Sequence, residues 1–282
     1  MFRSHYLQPG LLNDSNCCCL ISVLLCLHRL CLINCFVDPN QMTRNGTPDF
    51  TILTLFKILR AMPSQGPFSL QTFITLFNRD GRRIQLGQNE DLYIAEEILK
   101  AVSLQQQIPV PVLTQYSITF FCPGCRIQHS GVAGQAFEII PILPLPDQQQ
   151  PVNPADLMTT LMNEAVAVQC HVCLTQINNA TIQIVKGRIT IIRVNRSVFR
   201  NGALRKIMTP LDCGPSNSPG SQFLGELVAV VCHRTRPTLH WVSYSKADNG
   251  WYLNNDHQRP TPSSPFNSGH ADETVNMLCY IN

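Results

Sequence analysis

Charge is scarce in this chain: 14% of its 282 residues are charged, 21 Lys and Arg against 18 Asp and Glu. No Lys/Arg run is long enough to form a nucleic-acid footprint; Arg79, Arg82, Arg83, Arg205 and Lys206 are scattered, and no nucleic-acid partner is expected. A hydrophobic share of 44% excludes a disordered chain and is ample for a core. No apolar run reaches the roughly 20 residues of a membrane span. Leu20 to Leu32 comes nearest, and His28 and Arg29 interrupt it, so it reads as a buried helix and no membrane partner is expected. A charged-then-apolar leader and internal repeats are also missing.

Cysteine, by contrast, is plentiful. There are thirteen, an odd number, and several stand in an apolar helical run. With no leader, this excludes a secreted disulfide framework and implies a reducing, intracellular compartment, cytoplasm or nucleus. The N-X-S/T triplets at Asn45, Asn179 and Asn195 are then unused glycosylation sites.

The first third reads as helical. Residues 17–35 carry no Pro or Gly, with Ser15 and Asn16 as candidate caps. Thr47 to Met62 reads as a second helix, with Pro48 just inside its start and Pro63 just past its end. Phe68 to Phe77 reads as a third, and Asn89 to Val102 as a fourth, with Glu90 and Asp91 in its first turn. Near residue 108 the pattern changes to short alternating strands. These cover Val110 to Phe120, Phe137 to Leu143, Val166 to Gln169, Thr181 to Val185, Ile189 to Val194, Gly225 to His233, Trp241 to Lys246 and Gly250 to Leu253. A short helix, Ala155 to Met162, lies among them. Helices first and an antiparallel β half after make an α+β chain.

Two constellations carry chemistry. Cys122-Pro123-Gly124-Cys125 and Cys170-His171-Val172-Cys173 are two C-x-x-C knuckles. Four thiolates on two tight turns suit one tetrahedral zinc, structural because no coordination position stays open for water. The second constellation is a cysteine cluster, Cys17-Cys18-Cys19, at a helix start, with His233, His240 and the polar run Asn254-Asn255-Asp256 far along the chain. A thiol at a helix N-terminus lies at the positive end of the macrodipole, which favours thiolate. A distant His and a polar orienting residue complete the layout of a cysteine hydrolase, whose parts meet in space. Cys26, Cys31 and Cys35, at helical spacing, read as core.

The two segments resemble the Cys box and His box of the ubiquitin-specific proteases. Gly10, Leu11, Asn13, Asn16, Cys18, Ser22 and Leu24 fit the Cys box, roughly GLxNxGNTCxxNSxLQ. Glu226, Leu227, Ala229, Val230, His233, His240, Tyr244, Lys246, Trp251, Tyr252, Asn255 and Asp256 fit the His box. Gly87 to Asp91 resembles the family's Gln box, Arg193 to Phe199 with Lys206 to Pro210 its paired strands, and Met277 to Tyr280 its end strand.

The resemblance implies a papain-like α+β fold over residues 1–282: a helical thumb (1–107), zinc-bearing β fingers (108–190) and a β palm (191–282), with no further module. It makes Cys18 the nucleophile, His240 the base, Asn255 its orienting partner with Asp256 as the fallback, and Asn13 the oxyanion donor, a position that also suits a turn Asn. It implies one structural zinc on Cys122, Cys125, Cys170 and Cys173 and no catalytic cofactor. The partners it implies are ubiquitin and ubiquitinated proteins, bound by a monomer. A protease for another ubiquitin-like modifier and a catalytically inactive ubiquitin-binding homologue are the alternatives. The sequence departs from the family pattern at Ser15, Leu239, Trp241, Asn254 and Tyr93-Ile94-Ala95. Leu239 replaces a Gly beside the channel for the ubiquitin tail and is expected to narrow it.

Overall fold

The computed structural model describes residues 11–14, 17–29, 43–44, 47–48, 50–65, 68–80, 114–130, 142–235, 239–256, 258–266 and 273–282. They belong to two units. The first is Met1–Ile108 with Leu227–Cys279, and the second is Pro109–Glu226 with Tyr280–Asn282. The expected helix over Asn89 to Val102, the Gly87 to Asp91 segment, the stretch beyond Arg29, and Ser15 and Asn16 lie outside the described residues.

The first unit opens with β1 (Leu11–Leu12) and α1 (Cys18–Arg29). Helix α1 has no Gly or Pro and buries nearly every side chain, His28 and Arg29 included. Burial of the neutral ring is favoured, and His28 is pushed down to about 4 by burial and then by Arg29. The Arg29 guanidinium donates to the Lys246 carbonyl. Strands β2 (Thr43–Arg44) and β3 (Thr47–Pro48) pair antiparallel. Thr47 and Pro48 are therefore strand, not the start of the second helix. That helix, α2 (Phe50–Gln65), also runs past Pro63. Proline so near a helix end costs less than in mid-helix, because few backbone bonds follow it.

Strand β4 (Phe68–Ser69) and helix α3 (Gln71–Arg79) divide what the sequence reads as one helix, Phe68 to Phe77. The cause is tertiary: Phe68 and Ser69 pair in parallel with Leu11 and Leu12. Helix α3 buries Phe73, Ile74 and Phe77, an i, i+1, i+4 face, with the two rings 5.3 Å apart.

The second unit begins with β5 (Gln115–Cys122), β6 (Ile127–Ser130), β7 (Ile142–Pro144) and α4 (Pro154–Asn163). Asn153 caps α4, its Oδ1 accepting from the Ala155 N–H at 2.9 Å, with Pro154 in the first turn where no N–H is needed. Strands β8 (Val166–Gln169), β9 (Gln176–Val185), β10 (Ile189–Asn195), β11 (Ser197–Arg200) and β12 (Ala203–Lys206) follow. One sheet has the order β6-β5-β9-β8, all antiparallel neighbours. That order places the β5–β6 and β8–β9 turns at the same end of the sheet. Phe120, Cys122, Cys170, Ile177 and Ala180 form the core beneath that end.

The chain then returns to the first unit through β13 (Glu226–Arg234), β14 (His240–Ala247), β15 (Gly250–Asn254), β16 (Thr261–Pro262) and β17 (Glu273–Ile281). They lie side by side in the order β16-β15-β14-β13-β17. Gly250, at φ +132°, closes the β14–β15 hairpin in a conformation that side chains rarely adopt. Helix α1 packs on β14, so the start of the helix and the start of that strand share one face of the sheet. The Arg234 Nε donates to Glu273 at 2.6 Å, an ion pair between neighbouring strands, with the Tyr244 hydroxyl 3.4 Å from the same guanidinium.

Candidate active site and metal centre

The Cys box loop is held on three sides. Leu11, fully buried, is fixed by the β1–β4 pairing. The Ser69 hydroxyl donates to Asp14 at 2.6 Å. The Asn13 Oδ1 accepts from the Cys17 N–H at 2.7 Å, which caps the entry to α1. Cys18 is then the first residue of the helix, while Cys17 bonds back through its carbonyl to the Ile21 N–H at 2.9 Å.

Cys17, Cys18 and Cys19 are all buried, and Cys18 hydrogen-bonds with the His240 imidazole. That bond is the first cause holding His240 up at about 8. Burial opposes it, and Asn255 and the charge of Asp256 add to it. The ring's Nε2 is 2.6 Å from the Asn255 Oδ1. The carbonyl oxygen accepts, so Nε2 carries a proton and Nδ1 is the nitrogen left for the thiol. The Asn255 amide in turn donates to the Gln258 Oε1 at 3.1 Å, which fixes which way it points. A turn after β15, closed by the Gln258 N–H on the Asn255 carbonyl at 3.0 Å, brings this side chain back to His240.

Asp256 adopts φ +50°, a strained conformation for a side-chain-bearing residue. Its Oδ2 lies 3.8 Å from the His240 Nε2 and accepts from the Asn13 Nδ2 at 2.9 Å. The direct partner of the imidazole is therefore Asn255, and Asp256 joins the His segment to the Cys box loop. The Asp256 Oδ1 is buried with no hydrogen-bond partner. The Asn13–Asp256 bond spans 243 positions and has no signature in the sequence. His233, the rival histidine, lies inside β13, buried and 4.7 Å from the Trp241 ring. Of the departures from the family pattern, Asn254 is buried and donates to the Ser245 hydroxyl at 2.9 Å, while Leu239 is 59% exposed.

The four expected metal ligands converge. The sulfurs of Cys122, Cys125, Cys170 and Cys173 all lie within 4.8 Å of one another. Each knuckle is built alike. Arg126 N–H donates to the Cys122 carbonyl and Leu174 N–H to the Cys170 carbonyl, both at 2.8 Å. The residues after the second cysteines, Arg126 and Leu174, both turn at positive φ, 58° and 60°. Gly124 lets the knuckles approach: a Cβ there would meet the Thr175 Oγ1 at 2.4 Å and the Cys173 Sγ at 2.9 Å. The Thr175 hydroxyl, then its N–H, pulls Cys173 down to about 6. This all-sulfur set fits one zinc ion, with every position supplied by protein. The sequence reading overlooked His129, whose Nε2 is 3.5 Å from the Cys125 sulfur and 3.6 Å from the Cys170 sulfur. The spacing C-x-x-C-x-x-x-H from Cys122 was the signal for it.

No helix among the described residues is long and apolar enough to cross a membrane. No family model and no curated protein matches the sequence. Solved structures do. The chain superposes over its full length on 70% of a chain in a SAGA Ubp8/Sgf11/Sus1/Sgf73 DUB module, with a TM-score of 0.60 and 17% identity. The same module bound to ubiquitin aldehyde matches with a TM-score of 0.55 at 17% identity, over the whole of this chain and 71% of that one. A yeast SAGA DUB module with an altered Sgf73 matches with a TM-score of 0.60 at 16% identity, over 100% and 70% of the two chains. At these identities the likeness establishes architecture, and that architecture is the fold of a ubiquitin-specific protease catalytic domain.

Proposed function

We propose that the chain is a cysteine-type deubiquitinase that cleaves the (iso)peptide bond after the C-terminal glycine of ubiquitin. The observation that carries this reading is the convergence of Cys18, His240 and Asn255 in one hydrogen-bonded row. Support comes from the fold, whose solved examples include Ubp8 bound to ubiquitin aldehyde and to monoubiquitin. In this reading residues 1–107 are the thumb, 108–190 the fingers and 191–282 the palm.

Cys18 is the nucleophile. His240 takes its proton, keeps it as the thiolate attacks the scissile carbonyl, and gives it to the departing lysine amine. Asn255 holds the imidazole with Nδ1 toward the sulfur, and Asp256 stabilises the imidazolium from farther off. Asn13 has two amide hydrogens, and Asp256 takes one; the other, with N–H groups of the helix start, is the proposed donor to the developing oxyanion. Water, deprotonated by His240, then cleaves the thioester and restores the thiol. A zinc ion held by Cys122, Cys125, Cys170 and Cys173 would stiffen the fingers and take no part in the reaction. The free thiols suit a reducing compartment, which we place inside the cell. The solved relatives are multiprotein modules, so the expected monomer draws no support from them. Ubiquitin and its conjugates are the proposed partners.

The test is a covalent trap. Ubiquitin bearing a C-terminal electrophile is expected to form a one-to-one adduct on Cys18, located by mass spectrometry. The adduct should vanish in Cys18→Ala and survive in Cys17→Ala and Cys19→Ala. An adduct with another ubiquitin-like modifier but not ubiquitin would reassign the substrate. Ubiquitin binding without an adduct would make the chain a binding module.

A further inference from the structure

His129 sits where a fifth group of the metal centre would sit, and no step of the proposed reaction uses it. On the β5–β6 hairpin Cys122 pairs with Ile127 and Phe120 with His129, so cross-strand register puts the imidazole on the same sheet face as Cys122. The ring is buried, stacked on Phe120 at 4.7 Å and 22°, and meets the His171 ring edge-on at 4.9 Å. Its rotation is thereby restricted, and its Nε2 points between two sulfurs, 3.5 Å from Cys125 and 3.6 Å from Cys170.

Charge supplies the reason. Four thiolates around a divalent ion leave two negative charges, and Cys122 and Cys170 are fully buried. Buried charge is costly unless hydrogen bonds replace the lost water. Some donors are already present. The Thr175 hydroxyl lies 3.1 Å from the Cys173 sulfur, and the Thr175 and Ile127 N–H groups serve Cys173 and Cys125. His129 adds a side-chain N–H that reaches Cys170 as well. Four sulfurs already fill a tetrahedron, and a nitrogen ligand would have to approach zinc to about 2.0–2.1 Å.

We propose that His129 is an outer-sphere donor of this centre, its Nε2–H shared between the Cys125 and Cys170 thiolates when metal is bound. The inference rests on the reading that the four cysteines hold a metal.

The experiment uses the whole chain, labelled with 15N-histidine and loaded with 113Cd. The expected result is one cadmium on the four cysteines and a scalar coupling from the His129 Nε2 proton to cadmium through sulfur. A direct 15N–113Cd coupling would make His129 a ligand and overturn the proposal. Bound cadmium with neither coupling would overturn it while leaving the metal reading intact. Failure to bind one cadmium at the four cysteines would overturn both. Chelator competition with zinc gives a second readout. His129→Leu is expected to weaken zinc about 10–100-fold, and His129→Gln, which keeps an N–H, to recover most of that. Equal affinity in wild type and His129→Leu would count against the donor.

Discussion

His240 has two nitrogens and three neighbours, and their arrangement makes a pH prediction. Its value near 8 lies above the ordinary 6.5, so the folded environment favours the imidazolium. Stability drawn from these contacts is therefore complete below about 6.5 and fades as pH rises through about 8. Activity should follow the same group: the proposed base must be unprotonated to take the Cys18 proton, so the acid limb of kcat/KM on a ubiquitin C-terminal amide is expected near pH 8. Asn255→Ala removes one of the bonds that raise it, so the limb should move to lower pH. The rate at the optimum should fall by about a hundredfold, the scale of a small misplacement at a reacting centre. An unchanged limb would show that Asn255 does not hold this ring. Asp256→Asn is the companion measurement. At 3.8 Å it acts through charge rather than a direct bond, so it should move the limb with a smaller loss of rate.

Among the elements, the paired knuckles make the sharpest prediction, because Gly124 leaves no space for a side chain. Gly124→Ala would place a methyl against the Thr175 hydroxyl and the Cys173 sulfur, so these two side chains must shift, and Cys173 is one of the four proposed ligands. Overpacking of this kind costs about 1–3 kcal/mol, and here the loss should appear as weaker zinc binding, read by chelator competition. Much at this scale was legible beforehand. Helix α1 was, because an apolar run without Gly or Pro has few alternatives. So were strand β8 and the four cysteines, whose alternation and spacing are local. What escaped was set by distant partners. Phe68 and Ser69 have a helical pattern but are recruited as a strand by Leu11 and Leu12. Pro63 reads as a stop yet lies within α2. At the candidate site, the two boxes named Cys18, His240 and Asn255, side chains that do meet, whereas the Asn13–Asp256 bond and the His129 contacts exist only after folding.

For the molecule as a whole, the four-cysteine cluster and the Cys18 thiol belong to different units, and this separates two kinds of failure. Ligands of a structural zinc assemble only on folding, so metal binding is folding free energy, about 10–16 kcal/mol in isolated zinc fingers. Chelation should therefore raise amide exchange chiefly in residues 115–130 and 166–185, which carry the knuckles and their strands. Protection along α1, which belongs to the other unit, should change far less. Uniform loss of protection would mean that the units unfold as one.

The first unit is also discontinuous: its second portion starts only at Leu227. A ribosome makes the chain in one direction, and domains fold as their residues emerge. The four cysteines of the second unit are all synthesised before His240 exists, so the proposed metal centre is free to assemble while Cys18 still lacks its proposed base. A nascent chain stalled before Leu227 would carry its thiol without the imidazole, Asn255 or Asp256. If Cys18 is the nucleophile, translation order thus withholds its base until the segment after Leu227 has been made.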